Sequence, residues 1–171
     1  MSMKIAIIGD THIRLFEELP KDMLKEIINS EWVIHVGDYT SLNVLDGLVK
    51  AKGERFVGVY GNADPQSIRD KVQSREILKI FDKKIGITHP AIGGPDEFVE
   101  TRILAEFKNE NIDIIIYGHT HDPKVIYKGK ILLINPGKGY LESNYYGSPT
   151  TIAILLISES NQQAKIKEIY S

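Results

Sequence analysis

Along its first half the chain alternates short apolar runs with amphipathic stretches, the rhythm of strand, helix and strand. KIAIIG, starting at Lys4, and WVIHVG, starting at Trp32, are apolar enough to predict strands buried on both faces. Between them, PKDMLKEII places Met23, Leu24, Ile27 and Ile28 on one helical stripe. A second helix is expected from Ser41, an N-cap residue, burying Leu45, Leu48 and Val49. RFVGVYG, from Arg55, predicts a third strand, and the polar stretch 64–74 carries turn residues with room for one short helix.

The second half reads differently. EILKIF and KKIGITH, parted by Asp82, predict a hairpin. Gly93-Gly94-Pro95 opens a helix in which Val99, Ile103 and Phe107 recur at steps of four, and IDIIIYG is a further buried strand. VIY, a Lys-Gly turn, ILLIN, TIAILLIS and AKIKEIY then predict antiparallel strands. No repeat, low-complexity run or linker interrupts the chain, so residues 1–171 are expected to form one domain. Two sheets face to face with helices outside is the most economical packing of this order.

Composition narrows the chemistry. With no cysteine, the chain has no disulfide, thiolate metal site or cysteine nucleophile. Any metal must be held by histidine, carboxylate or amide oxygen. A net charge of −2 gives no sign of a nucleic-acid or membrane-surface partner. No stretch reaches the ~18 apolar residues of a membrane span. The N-terminal apolar run, ending at Gly9-Asp10, is too short for a signal segment, so a cytoplasmic location is expected.

The polar tips of the strands repeat a theme. Strand one ends in GDTH (Asp10, His12), strand two in GDYT (Asp38) and strand three in GNAD (Asn62). The second hairpin strand ends in THP (His89), and IDIIIYG in GHTH (His119, His121). Sites in open α/β sheets form outside the carboxyl ends of strands, so these tips should converge. Each has an ordinary reading on its own: Gly-Asp as a turn, Asp38 as a helix cap, Asn62-Ala63-Asp64-Pro65 as a turn, His89 as a strand end, GHTH as a polar lip. Those are separate accidents, yet four of the five histidines fall at these tips. Seven oxygen and nitrogen ligands suit two adjacent divalent metals if one carboxylate bridges them, and mixed donors favour Mn, Fe, Zn, Co or Ni over Ca. The fifth histidine, His35, lies inside a strand and is expected in the core or behind a ligand, with Thr11 and Asp64 as further partners that orient ligands.

Taken in order, GDTH, GDYT, GNAD, THP and GHTH, followed by the NPG of residues 135–137, resemble the calcineurin-like metallophosphoesterases, in particular their small bacterial and archaeal phosphodiesterases. The resemblance implies an α/β fold, a four-layer αββα sandwich of two mixed sheets flanked by helices. It implies a first metal on Asp10, His12 and His121, a second on Asn62, His89 and His119, and Asp38 bridging them. Asp38, Asn62 and His119 are carried over as catalytic. The implied reaction is phosphoester hydrolysis by a metal-bridging hydroxide, with Mn2+ the expected ion and Ni2+, Zn2+, Fe2+ or Co2+ alternatives. The implied partner is a small phosphodiester substrate, with no nucleic-acid polymer or membrane, and some of these enzymes form homodimers.

Two departures stand out. The family's third motif often reads Gly-Asn-His, the histidine contacting phosphate and proposed to protonate the leaving group; here that place is Ala63. The fourth motif is often His-Gly-His, whereas here His89 is followed by Pro90. The departures keep a second reading open: a metal-binding scaffold with little or no turnover, like the retromer subunit of the same fold, which is similar at GDTHI and at GHTH with INPG. A metal-dependent regulator without turnover is a third. The pocket rim is expected at residues 13–19, 92–97 and 138–146, where Tyr140, Tyr145 and Tyr146 are placed to stack on a base or to pack between subunits.

Overall fold

The computed structural model describes residues 1–142 and 147–171; Tyr145 and Tyr146 lie outside the described residues. The first sheet holds β1 (Ser2–Ile8), β2 (Trp32–His35), β3 (Phe56–Gly58), β9 (Thr151–Ser158) and β10 (Gln162–Glu168), in the order β10-β9-β1-β2-β3. The second holds β4 (Arg75–Ile80), β5 (Lys83–Thr88), β6 (Ile114–Tyr117), β7 (Lys124–Lys128) and β8 (Ile131–Asn135), in the order β4-β5-β6-β8-β7. Helices α1 (Lys21–Ile28), α2 (Leu42–Lys52), the short α3 (Gln66–Arg69) and α4 (Asp96–Glu106) connect them.

The layering follows from the two-residue period of a strand. In β1, Ile5 and Ile7 face the second sheet and join Ile85, Ile87, Ile114, Ile116, Leu132 and Ile134 in one core. Ala6 and Ile8 point the other way, onto Met23 and Ile27 of α1 and Val44, Leu45 and Leu48 of α2. On the far side, Ile115, Tyr117 and Leu133 receive Val99, Ile103 and Phe107 from α4 and the residue that ends it. The expected αββα sandwich of two mixed sheets is therefore the observed architecture. Strands buried on both faces need continuous apolar sequence, which is why β1, β2 and β6 carry no polar alternation.

Three expectations give way to the structure. Ile28 is 70% exposed and Val49 46% exposed, because each lies one step beyond the stripe its helix presents to the sheet. Val44 is buried in α2 where Val49 is not. ILLIN is not wholly antiparallel: it pairs antiparallel with β7 but parallel with β6. The Ser41 cap is present, its hydroxyl accepting from Asn43 N–H at 3.3 Å.

This topology positions the site. In the first sheet β1, β2 and β3 run parallel, with Ile8, His35 and Gly58 level at their carboxyl ends. In the second, β5 and β6 run parallel with Thr88 opposite Tyr117. All five strands that carry the polar tips thus finish at one end of the sandwich. Among the described residues, no helix is long and apolar enough to cross a membrane.

Candidate metal centre

Beyond the strand ends, the loops keep pairing. Asp10 N–H donates to Gly37 O at 2.9 Å and His12 N–H to Asp38 O at 3.2 Å, zipping the first tip to the second. Gly118 brings the sixth strand's tip against the first sheet, and His119 N–H donates to Asp10 Oδ2 at 3.0 Å. Asp64 receives the backbone N–H groups of Asp38 (2.8 Å), Gly61 (2.8 Å) and Thr40 (2.7 Å), so it orients the Asp38 loop as expected of it. Burial raises the Asp64 carboxyl above its ordinary value despite those three donors.

Backbone geometry marks the same residues. Asp10 (φ 47°), His12 (46°), Asp38 (60°), His119 (82°) and His121 (63°) all lie in the left-handed region. Non-glycine residues visit it rarely, at about 1–3 kcal/mol each. Five of the seven residues singled out at the tips are held there. The captured N–H groups of Asp10, His12, Asp38 and His119 are what offsets the strain.

Side chains gather into two groups, Asp10 with His12 and His121, and Asp38 with His89 and His119; within each, one donor atom per residue lies within 4.8 Å of the others. His121 Nε2 stands 3.3 Å from Asp10 Oδ1. Asp38 Oδ2 lies 3.5 Å from His12 Nε2 and 3.4 Å from His89 Nε2, so one oxygen is addressed from both groups. Asn62 Oδ1 faces His89 Nε2 and His119 Nδ1, each at 3.0 Å. All seven sequence-predicted residues therefore meet in one place, six in the two groups and Asn62 beside the second.

The donor set fits metal ions. Asp10 Oδ1 is buried and has no hydrogen-bond partner, while Oδ2 is occupied by His119 N–H; a buried carboxylate oxygen left free is suited to a cation. Burial pushes Asp38 up, but the His12 and His89 imidazoles, with Ala63 N–H on Oδ1 at 2.8 Å, outweigh it and hold Asp38 well below the usual carboxylate range. His89 is pulled down by burial and up, more strongly, by Asp38 and Asp10. The Asp10 carboxylate facing it raises His121, whereas burial and the neighbouring His89 lower His119. His89 Nδ1–H donates to the Val36 carbonyl at 2.8 Å, which turns Nε2 toward the group.

The comparisons with known proteins bear on this constellation. Residues 3–160 match the Calcineurin-like phosphoesterase superfamily domain. The chain belongs to that superfamily. A protein of Methanocaldococcus jannaschii named a probable metallophosphoesterase is 39% identical over 139 residues, 80% of this chain and 68% of that one. A second protein of the same organism, named a phosphodiesterase, is 32% identical over 152 residues, 81% of this chain and 87% of that one. In fold the chain is similar to Vps29 from Entamoeba histolytica, described in complex with Zn2+, with a TM-score of 0.74, 21% identity and coverage of 98% of each chain.

Residues beyond the seven at the strand tips also shape this phosphoesterase's site. Arg69 donates from Nε to Asp64 O at 2.8 Å and from Nη2 to Asn62 O at 3.1 Å, and its guanidinium lies over Tyr60, fixing the GNAD loop from behind. Asn135, the first residue of NPG, donates to Thr120 Oγ1 at 2.8 Å and so steadies GHTH. Tyr140 stands edge-on to His12 (5.8 Å between centroids) and to His121 (6.3 Å), walling the first group. Behind it, the buried Lys138 bonds Glu142 at 2.6 Å. That i,i+4 spacing was the available signal for the Lys138 pair; nothing in the sequence pointed to Arg69. The expected Thr11 contact is to His35, not to a ligand.

Proposed function

We propose that the chain is a metal-dependent phosphodiesterase that takes two divalent ions, one on Asp10, His12 and His121 and one on Asn62, His89 and His119, with Asp38 between them. The observation that carries this reading is Asp38 Oδ2, 3.5 Å from a histidine of one group and 3.4 Å from a histidine of the other. Relatives named phosphodiesterase and metallophosphoesterase support the reaction class. Imidazole, carboxylate and amide donors admit Mn2+ among the divalent transition ions, and Mn2+ is the activator to test first. When bound, such a pair lowers the pKa of water and clamps attacking and leaving oxygens in line.

The chain's own residues set the rest. Asp10 in the first group and Asp38 between the two concentrate negative charge at the site. Burial and the charge of His89 lower the pKa of His119, which favours the neutral imidazole that metal ligation requires. Ala63 is exposed at the tip of its loop and carries no proton to give a leaving group. The substrates this suits are small phosphodiesters whose leaving groups depart without help, such as aryl diesters. General-acid assistance is typically worth ~10²–10⁴-fold, so poor leaving groups should be slow.

The test is hydrolysis of an aryl phosphodiester by metal-stripped protein resupplied with Mn2+, beside Asp38→Ala. Turnover by the parent, with the variant at background, is the expected result. A parent no faster than the variant would instead favour a scaffold with the same fold.

A further inference from the structure

Behind the two groups, one imidazole is tied to both loops that carry the earliest ligands. His35 ends β2, is fully buried, and stacks on Tyr39 with centroids 3.7 Å apart and 13° between planes. Its Nδ1 accepts Gly37 N–H at 3.1 Å, which places the ring proton on Nε2; that N–H donates to Thr11 Oγ1 at 3.0 Å. Thr11 sits between Asp10 and His12, and Gly37 immediately precedes Asp38. The Tyr39 hydroxyl packs against Gly58, where a Cβ would come within 2.0 Å of it.

We propose that His35 is a positioning residue that sets the placement of the two ion sites relative to one another, holding the Asp10–His12 loop through Nε2 and the Asp38 loop through Nδ1. The proposal rests on the two-ion reading above. A histidine that merely fills the core needs its nitrogens satisfied, but by no particular partner. Here each nitrogen addresses a residue next to a ligand, and the two lie in different loops. Both loops hold left-handed residues, conformations that persist only where the surroundings over-determine them. The two bonds therefore have separable effects. Losing the Thr11 bond loosens the first group alone, while the Gly37 bond bears on Asp38.

Mn2+ binding to the metal-stripped full chain, followed by calorimetry, tests this in two backgrounds. His119→Ala keeps the first group and His121→Ala keeps the second. Thr11→Val removes the acceptor; His35→Asn sets a carboxamide oxygen where Nδ1 lies, retaining the Gly37 bond but not the Thr11 bond. Residues behind metal ligands typically contribute 10–100-fold in affinity, so in the His119→Ala background each variant should raise the Kd about tenfold. Because both delete one bond, combining them should add less than about twofold more. In the His121→Ala background Thr11→Val should leave the Kd unchanged. Equal weakening in both backgrounds, additive losses or no change would overturn the proposal. Thr11→Val leaves the ring in place, so it decides the matter even if His35→Asn fails to fold. A parent that binds no Mn2+ would instead refute the two-ion reading.

Discussion

Replacing Gly61 by alanine should expel Asp38 from its place between the two groups. The added Cβ would stand 2.1 Å from Asp38 Oδ1, 2.7 Å from Asp38 N and 2.8 Å from Asp38 Cγ, where ordinary contact begins at 3.4 Å. Gly61 is not in the left-handed region, so the effect is steric alone. Asp38 cannot yield easily, because Ala63 N–H holds its Oδ1 and Asp64 holds its backbone. Relief needs a movement of about 1 Å, several times the ~0.2 Å that a metal–ligand distance tolerates. Misplacement on that scale is worth ~10²-fold in rate. Overpacking of this kind lowers stability by ~1–3 kcal/mol, so the variant should still fold. Bound Mn2+ counted by mass spectrometry, aryl diester turnover and thermal unfolding measure the three effects together. Gly93→Ala is the control: a Cβ there meets nothing within 4 Å and should change neither metal count nor melting temperature. A Gly61→Ala protein with two ions and parental turnover would refute the steric argument and, with it, the placement of Asp38 as the shared ligand.

Other perturbations separate the parts of the site and the fold. His121→Ala and His119→Ala should each bind one ion, in the second and first group respectively; loss of both ions from either variant would mean one indivisible centre. Ala63→His should raise turnover on poor leaving groups by at least about tenfold, a fraction of the ~10²–10⁴-fold general acids supply, and no gain from a correctly placed ring would remove the idea that Ala63 marks a missing acid. Glu26 joins α1 to both β1 and β10 through Lys4 (2.7 Å) and Lys167 (2.6 Å), and the bonds to Lys167 and Lys4 hold its carboxyl below the ordinary value. A depressed folded pKa means that the unfolded chain takes up the proton first as pH falls. The stabilisation is thus complete above about pH 4.3 and lost as pH drops through the folded value. Glu26→Gln should lower stability by roughly 1 kcal/mol at pH 7 and converge with the parent in acid, as urea unfolding at the two pH values would show. A gap that persisted in acid would assign the loss to packing.

Four of the five strand tips were legible because each couples an apolar run, then glycine, then a polar donor, a pattern that local sequence alone expresses. Which group each histidine joins came from the resemblance, and the structure's grouping of His119 with His89 and of His121 with His12 agrees with it. Helix faces were read one residue too wide at Ile28 and Val49, since periodicity gives the direction of a stripe but not where the sheet stops covering it. The parallel pairing of β8 with β6 was hidden for a different reason: a hairpin announces itself through its turn, whereas a parallel neighbour leaves no local mark. Arg69 and the two-ended tether of His35 were invisible for want of any rule linking a side chain to carbonyls or loops that only folding brings near.

The bond from His119 N–H to Asp10 Oδ2 joins residues 109 apart in the chain. Each group likewise draws on both sheets: Asp10 and His12 wait for His121, and Asp38 waits for His89 and His119. A chain emerging from the ribosome therefore carries no finished ion site until residue 119 is made and the second sheet docks on the first. Ion capture and the closing of the sandwich become one event, so the metal would act as a late clasp on the fold as well as the seat of its chemistry.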